Sequence, residues 1–122
     1  MIRIKRVYDP PAKEDGARVL VDRLWPRGMK KEAVHVAAWY KEVAPSNELR
    51  RWFSHDPDRW KEFQRRYRVE LTANRIAWQS LLEAAEQGDV TLLYSAHDTE
   101  HNNAQVLKAY LEERLSRKKS RR

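Results

Sequence analysis

Along the first eight residues Ile2, Ile4 and Arg6 alternate with Arg3, Lys5 and Val7, a period of two that predicts a strand with one buried face near the edge of a sheet. Asp9-Pro10-Pro11 ends it, because proline lacks the ladder donor and restricts the residue before it. A polar connection through Gly16 leads to Val19-Leu20-Val21, a continuous β-prone run of the kind covered on both faces in a parallel sheet. This run is the expected central strand, and it passes directly into a charged loop, Asp22 to Gly28, at the sheet edge. Val90 to Tyr94 has the same character and is the second buried strand.

Elsewhere the period lengthens. Between Met29 and Pro45 two patterns overlap: Ala33, Ala37, Tyr40 and Ala44 have helical spacing, whereas Val34, Val36 and Ala38 alternate. The reading adopted is a helical turn over 29–34 and a strand over 36–42, closed by Pro45. From Ser46 onward helix prevails, with Ser46 and Asp56 as caps and Pro57 at a first helical position, where its missing N–H costs nothing. Trp60, Phe63, Tyr67 and Leu71 share one face. A bend or restart is expected at 72–74, then an inward row of Ile76, Leu81, Leu82 and Ala85 up to a stop at Gly88. A last helix carries Ala104, Leu107, Leu111 and Leu115 inward. Strand, crossover and strand predict one α/β domain over residues 1–115, with a small, mostly parallel sheet of about four strands flanked by helices. Residues 116–122 are expected to be a basic, frayed tail.

A chain of 122 residues suits one core. The absence of cysteine excludes disulfides, thiolate nucleophiles, zinc ribbons and iron–sulfur ligation. No apolar stretch is long enough to cross a bilayer and no signal or lipidation motif is present, so a cytoplasmic protein without a membrane partner is expected. The 25 Lys+Arg against 18 Asp+Glu give +7, but Arg117, Lys118, Lys119, Arg121 and Arg122 follow the last apolar residue, Leu115, and leave the body only mildly basic. Such a tail either binds phosphate backbones nonspecifically and in a salt-dependent way or is a solvated helix end. Nothing in the sequence sets an oligomeric state.

Arg18-Val19-Leu20-Val21-Asp22-Arg23-Leu24-Trp25-Pro26-Arg27-Gly28 resembles the hallmark of the YeaO-like branch of the family catalogued as domain of unknown function 488. Ala44-Pro45-Ser46, Leu49-Arg50, Trp52-Phe53-Ser54-His55-Asp56-Pro57, Arg59-Trp60, Phe63, Arg66-Tyr67 and Glu70-Leu71 extend the likeness. So do Val90-Thr91-Leu92-Leu93-Tyr94, Asn102, Ala104, Val106-Leu107 and Tyr110-Leu111, so that it spans about residues 1–115, with Trp25-Pro26-Arg27-Gly28 its most specific element. The resemblance implies a compact α/β sandwich with a largely parallel sheet and supplies no mechanism. Other branches are expected to carry a cysteine in a region similar to Leu93-Tyr94-Ser95; here Tyr94 or its neighbour stands there, and thiol chemistry does not transfer.

Ligands of open α/β sheets bind beyond the carboxyl ends of the strands. That rule selects Asp22, Arg23, Trp25, Arg27 and Gly28 after the central strand, and Ser95, His97, Asp98, His101, Asn102 and Asn103 after the last. Arg23 and Arg27 offer planar, permanent charges suited to a carboxylate or phosphate, and the N-terminus of the final helix adds free amides. The structural alternative is one arginine paired with Asp22 and the other solvated. Asp22 is either an acid–base group or, the reading preferred, an anchor for Arg23. Trp25 can stack on a ligand or pack the loop onto the core. His97, the imidazole beside Asp98, is the other candidate for acid–base work. His55 and Tyr94 are secondary candidates, although Ser54-His55-Asp56-Pro57 reads first as a helix end and a new cap. His97 and His101 stand four apart but lack a third ligand, so no metal is expected. Gly16, Gly28 and Gly88 are the only glycines, which excludes phosphate-loop and dinucleotide signatures, and no cofactor is expected.

The expected function is binding of a small anionic ligand, phosphorylated, carboxylated or nucleotide-like, by Arg23, Trp25, Arg27, His97, Asp98 and Asn102, with acid–base chemistry through His97 or Asp22 as its finer form. Two alternatives stand beside it: a nucleic-acid module using Arg50, Arg51, Arg59, Arg65, Arg66, Arg68, Arg75 and the tail, and a protein-interaction domain without catalysis.

Overall fold

In the computed structural model, which describes residues 1–120, Val90–Tyr94 (β4) lies between Ile2–Arg6 (β1) and Ala17–Leu20 (β2). Ala38–Trp39 (β3) completes a four-stranded sheet of order β1-β4-β2-β3 in which every pair is parallel. Lys31–Val34 (α1), Asn47–Phe53 (α2), Trp60–Ala73 (α3), Arg75–Gln87 (α4) and Asn103–Ser120 (α5) are the helices. The fold is therefore the α/β class expected, with β1 at one edge and Val19-Leu20-Val21 buried inside the sheet.

Because strand side chains alternate, the sheet has two distinct faces. Ile2, Val19, Val21, Val90, Leu92 and Tyr94 point to one, where α2 to α5 bury Phe53, Phe63, Tyr67, Trp78, Leu107 and Leu111 against them. Val7, Leu20 and Leu93 point to the other, covered by Val34 of α1 with Trp25, Met29 and Val36. Arg18 and Thr91, paired in register, stand on this second face two residues before Leu20 and Leu93. Their polar groups are satisfied by Asp15. Arg18 Nη1 donates to Asp15 Oδ2 at 2.6 Å, Lys5 Nζ donates to both carboxylate oxygens at 3.1 Å, and Thr91 Oγ1 donates to the Asp15 carbonyl at 2.7 Å. Burial pushes the Asp15 carboxyl up, but the Ala12 N–H, Lys5 and Arg18 more than offset this and hold it below its ordinary value. Gly16 follows at φ 62°, and a Cβ there would lie 2.2 Å from the Asp89 carbonyl oxygen, so this approach of loop to strand requires glycine.

The helix boundaries follow the capping chemistry. Ser46 Oγ accepts from the Leu49 N–H, Asp56 accepts from the Asp58 N–H ahead of α3, and Asn74 separates α3 from α4. Three expectations change. The first strand ends at Arg6, where the Asp9 N–H donates to the Arg6 carbonyl and the Asp9 carboxylate takes the Arg6 N–H. The strand expected over 36–42 is only Ala38–Trp39, because His35 in the left-handed region ends α1 late and a tight turn at Lys41–Val43 takes the chain away early. Ile76, expected inward, is 90% exposed: the restart at Asn74 rephases α4 so that Trp78, Leu81, Leu82 and Ala85 make the buried row. The last helix runs to Ser120, into the basic segment, while Arg121 and Arg122 lie outside the described residues.

Candidate functional site

The chain leaves β2 toward the face of α1 and leaves β4 toward the face of α5, so these neighbouring strands open in opposite directions at their carboxyl ends. That divergence is where α/β sheets place ligands. Asp22 closes it. Its Oδ2 accepts from the Ser95 N–H at 2.9 Å and the Ser95 hydroxyl at 2.8 Å, and its Oδ1 accepts from Asn103 Nδ2 at 3.2 Å. The same Asn103 amide donates to the Val21 carbonyl at 3.0 Å, which fixes the first residue of α5 to the end of the β2 run. Burial pushes the Asp22 carboxyl above its ordinary value; the hydrogen bonds from Ser95 and Asn103 and the charge of Arg50 pull the other way.

Asp22 thus anchors the loop after β4, and not Arg23, as the preferred sequence reading had it. Arg23 turns to the segment before α2, donating to the carbonyls of Ala44 at 3.3 Å and Pro45 at 3.4 Å, with Glu42 at 4.0 Å. Those carbonyls lack helical partners, so the guanidinium is used as a clamp. Trp25 takes the packing role: its indole donates to the Met29 carbonyl at 2.7 Å and its ring meets Trp39 edge-on at 5.5 Å. Arg27 is exposed, and its side chain makes no hydrogen bond among the described residues. Its carbonyl meets the Tyr8 hydroxyl at 3.5 Å, and the Arg6 guanidinium lies 4.9 Å from the Tyr8 ring centroid. Arg6 in turn donates to the carbonyls of Ala96 at 2.9 Å and Ser95 at 3.3 Å. A continuous rim of Arg27, Tyr8, Arg6 and the residues next to His97 therefore crosses the ends of β2, β1 and β4.

The loop before α5 is largely self-supporting. Asp98 Oδ1 accepts from the N–H groups of Glu100 and His101, each at 2.9 Å, and Oδ2 pairs with His101 Nδ1 at 2.8 Å. These bonds hold its carboxyl below the ordinary range. Asn102 is buried; it donates to the Asp98 carbonyl at 3.0 Å and accepts from the Gln105 N–H at 3.0 Å, capping α5. Tyr94 is buried, and burial pushes its hydroxyl up in pKa. His97 is exposed and has no hydrogen bond to the Asp22–Gly28 loop or to any other described residue. His97 and His101 both precede α5, so they do not share a helix face. His55 lies away from this edge, beyond α2 beside Phe53, with its backbone in the left-handed region.

Four participants escaped the sequence reading of the site: Ser95 and Asn103, noted only as loop polars, and Arg6 and Tyr8, taken as strand. A strand residue carrying a long cation at the carboxyl end of a parallel strand was the available signal. Elsewhere, the arginines proposed for nucleic acid are mostly ion-paired: Arg59 with Asp56, Arg65 and Arg66 with Glu62, and Arg68 with Glu113. Two grooves lie away from the strand ends just described. One of about 820 Å³ runs between Ile2, Ala85 and Leu115 at the amino ends of the strands, and one of about 480 Å³ runs between Leu49, Trp52 and Val69.

Fold and site together define a small parallel α/β domain whose β2 and β4 loops are joined by a desolvated carboxylate. A family model described as the inactive DUF488-N3 subclade matches residues 1–122, and the chain belongs to that family. It is 44% identical over 110 residues to "Uncharacterized protein YeaO" of Escherichia coli (strain K12), covering 90% of this chain and 96% of that one. It is 41% identical over 106 residues to "Uncharacterized protein Rv3073c" of Mycobacterium tuberculosis (strain ATCC 25618 / H37Rv), covering 87% and 89% respectively. "Uncharacterized protein Mb3100c" of Mycobacterium bovis (strain ATCC BAA-935 / AF2122/97) matches to the same extent, 41% over 106 residues. No solved structure matches the chain.

Proposed function

We propose that the chain is a binding module for a small anionic ligand, taken at the carboxyl end of the sheet on Arg27 and His97, with Arg6 and Tyr8 forming the floor between them. One observation carries this reading. Among the residues proposed for this edge, Arg23, Trp25, Asp98, Asn102 and Asp22 are engaged in holding loops, whereas the side chains of Arg27 and His97 have no partner among the described residues. An exposed guanidinium supplies a permanent, bidentate donor for a carboxylate or phosphate. The family description, inactive, agrees with a binding role in which Asp22 is structural.

A titration of inorganic phosphate, citrate and adenosine monophosphate followed by amide chemical shifts tests the reading. At least one anion is expected to shift Arg27, His97 and Tyr8 together, and Arg27→Ala to weaken it about tenfold or more, the size of one charge-assisted contact. Equal affinity in wild type and Arg27→Ala removes Arg27 from the site. A second reading, acid–base chemistry at Asp22, is favoured by the upward push that burial gives its carboxyl. Turnover of a bound anion that disappears in Asp22→Asn is the result that reading requires.

A further inference from the structure

The edge of the sheet at β3 is built differently from the rest of the surface. Leu24 is 59% exposed and Trp39 39% exposed, and the two are neighbours, because the Trp39 indole donates to the Asp22 carbonyl at 2.7 Å and so lies along the backbone that carries Leu24. Half-buried Trp25 continues the surface inward at 5.5 Å from Trp39. Single exposed apolar side chains such as Ile76 are ordinary on a protein surface, but a leucine and a tryptophan side by side with a second tryptophan behind them form a contiguous patch.

The charges around the patch have mixed sign. Lys41 Nζ stands 5.3 Å from the Trp39 ring centroid, and Glu42 follows it, with its side chain 70% exposed and only a 4.0 Å contact to Arg23. On the other flank, exposed Lys30, Lys31 and Glu32 open α1, beside the Met29 carbonyl that holds Trp25. A rim of one sign would call for a partner of the opposite sign. Lys31-Glu32 on one flank and Lys41-Glu42 on the other are instead self-complementary: a half-turn places each lysine of one copy near a glutamate of the other.

We propose that the Leu24–Trp39 surface is a two-fold interface with a second copy of this chain, its centre the apolar pair and its rim the exchanged Lys–Glu contacts. Trp39 lies on a strand of only two residues, so the contact is made by side chains and not by continuation of the sheet. The interface is independent of the Arg27–His97 rim, and anion binding need not change with it.

Sedimentation equilibrium of the full chain, from low micromolar up to about 1 mM, the weak limit of specific association, tests this. The expected result is a concentration-dependent doubling of mass. Leu24→Asp, at an exposed loop position with no side-chain hydrogen bond, is expected to weaken association at least about tenfold while leaving the thermal melt of the dilute protein unchanged. Trp39→Ser is expected to act in the same direction, and Ile76→Asp, on the exposed side of α4, to have no effect on mass. A wild-type protein that stays monomeric to about 1 mM overturns the proposal, as does a dimer that Leu24→Asp and Trp39→Ser leave intact or that Ile76→Asp dissolves.

Discussion

One face of the sheet is sealed by four helices and the other by loops, and the two solve the burial problem differently. Beneath α2 to α5 every inward strand position is apolar, and stacked aromatics such as Phe53 and Phe63, 4.3 Å apart, fill the layer. The opposite face has one short helix, and the loops across it leave Arg18 and Thr91 inside the sheet. There the chain replaces hydrophobic area with one carboxylate, Asp15, shared by two cations and a backbone N–H. A helix brings a row of side chains to a sheet, whereas a loop brings backbone, and backbone must be answered by polar groups.

The difference can be broken from either side. Phe63→Ala is expected to cost about 3–5 kcal/mol in a denaturant titration, because it removes an aromatic from the middle of the helix-covered layer. A loss under about 1 kcal/mol would show that this layer is not the main core. Asp15→Ala is expected to cost about 3 kcal/mol by leaving Arg18 buried without its carboxylate, and adding Arg18→Met should recover part of that. If the double substitution is as unstable as the single, the ion pair is not what the face depends on.

The pH dependence sharpens the contrast, because the two buried carboxylates have opposite signs. Asp15 has a depressed value in the fold, so its contribution is present above the ordinary carboxylate range near pH 4 and is lost as pH falls through the depressed value. Asp22 has a raised value, so its contribution is full below that range and declines as pH rises through the raised value. From about pH 4 to 7 the stability of Asp22→Asn should therefore gain on that of wild type, with the slope and not the offset as the readout. A pH-independent difference would show that Asp22 is not desolvated. The smallest effect is expected at Ile76→Ser, within about 0.5 kcal/mol, and a larger loss would mean that α4 packs in another phase.

Legibility in the sequence follows the same division. The helix-covered layer was readable because Phe63, Tyr67 and Leu71, or Ala104, Leu107 and Leu111, repeat at helical spacing and the caps at Ser46 and Asp56 use local chemistry. Ile76 was misread because a one-residue break at Asn74 changes the phase without changing the composition. At the candidate site, the two loops were selected correctly as neighbours, since Asp22 reaches Ser95 and Asn103. The partner of Asp22 was not legible, because Arg23, one residue away, competes in sequence but is drawn in space to the bare carbonyls of Ala44 and Pro45. Adjacency along the chain carries no direction, and the alternation of a strand sends consecutive side chains to opposite sides.

The position of β4 inside the sheet has a consequence for biosynthesis. β1 pairs with β4 alone, and β2 shares only two register positions with β3 before β4 arrives. As the ribosome releases the chain, the first strand waits unpaired through some four-fifths of synthesis, and its Ile2 and Ile4 stay open to wrong neighbours until Val90–Tyr94 emerges. The charges on Arg3, Lys5 and Arg6 then act before folding, as gatekeepers that keep a waiting strand from finding another of its kind.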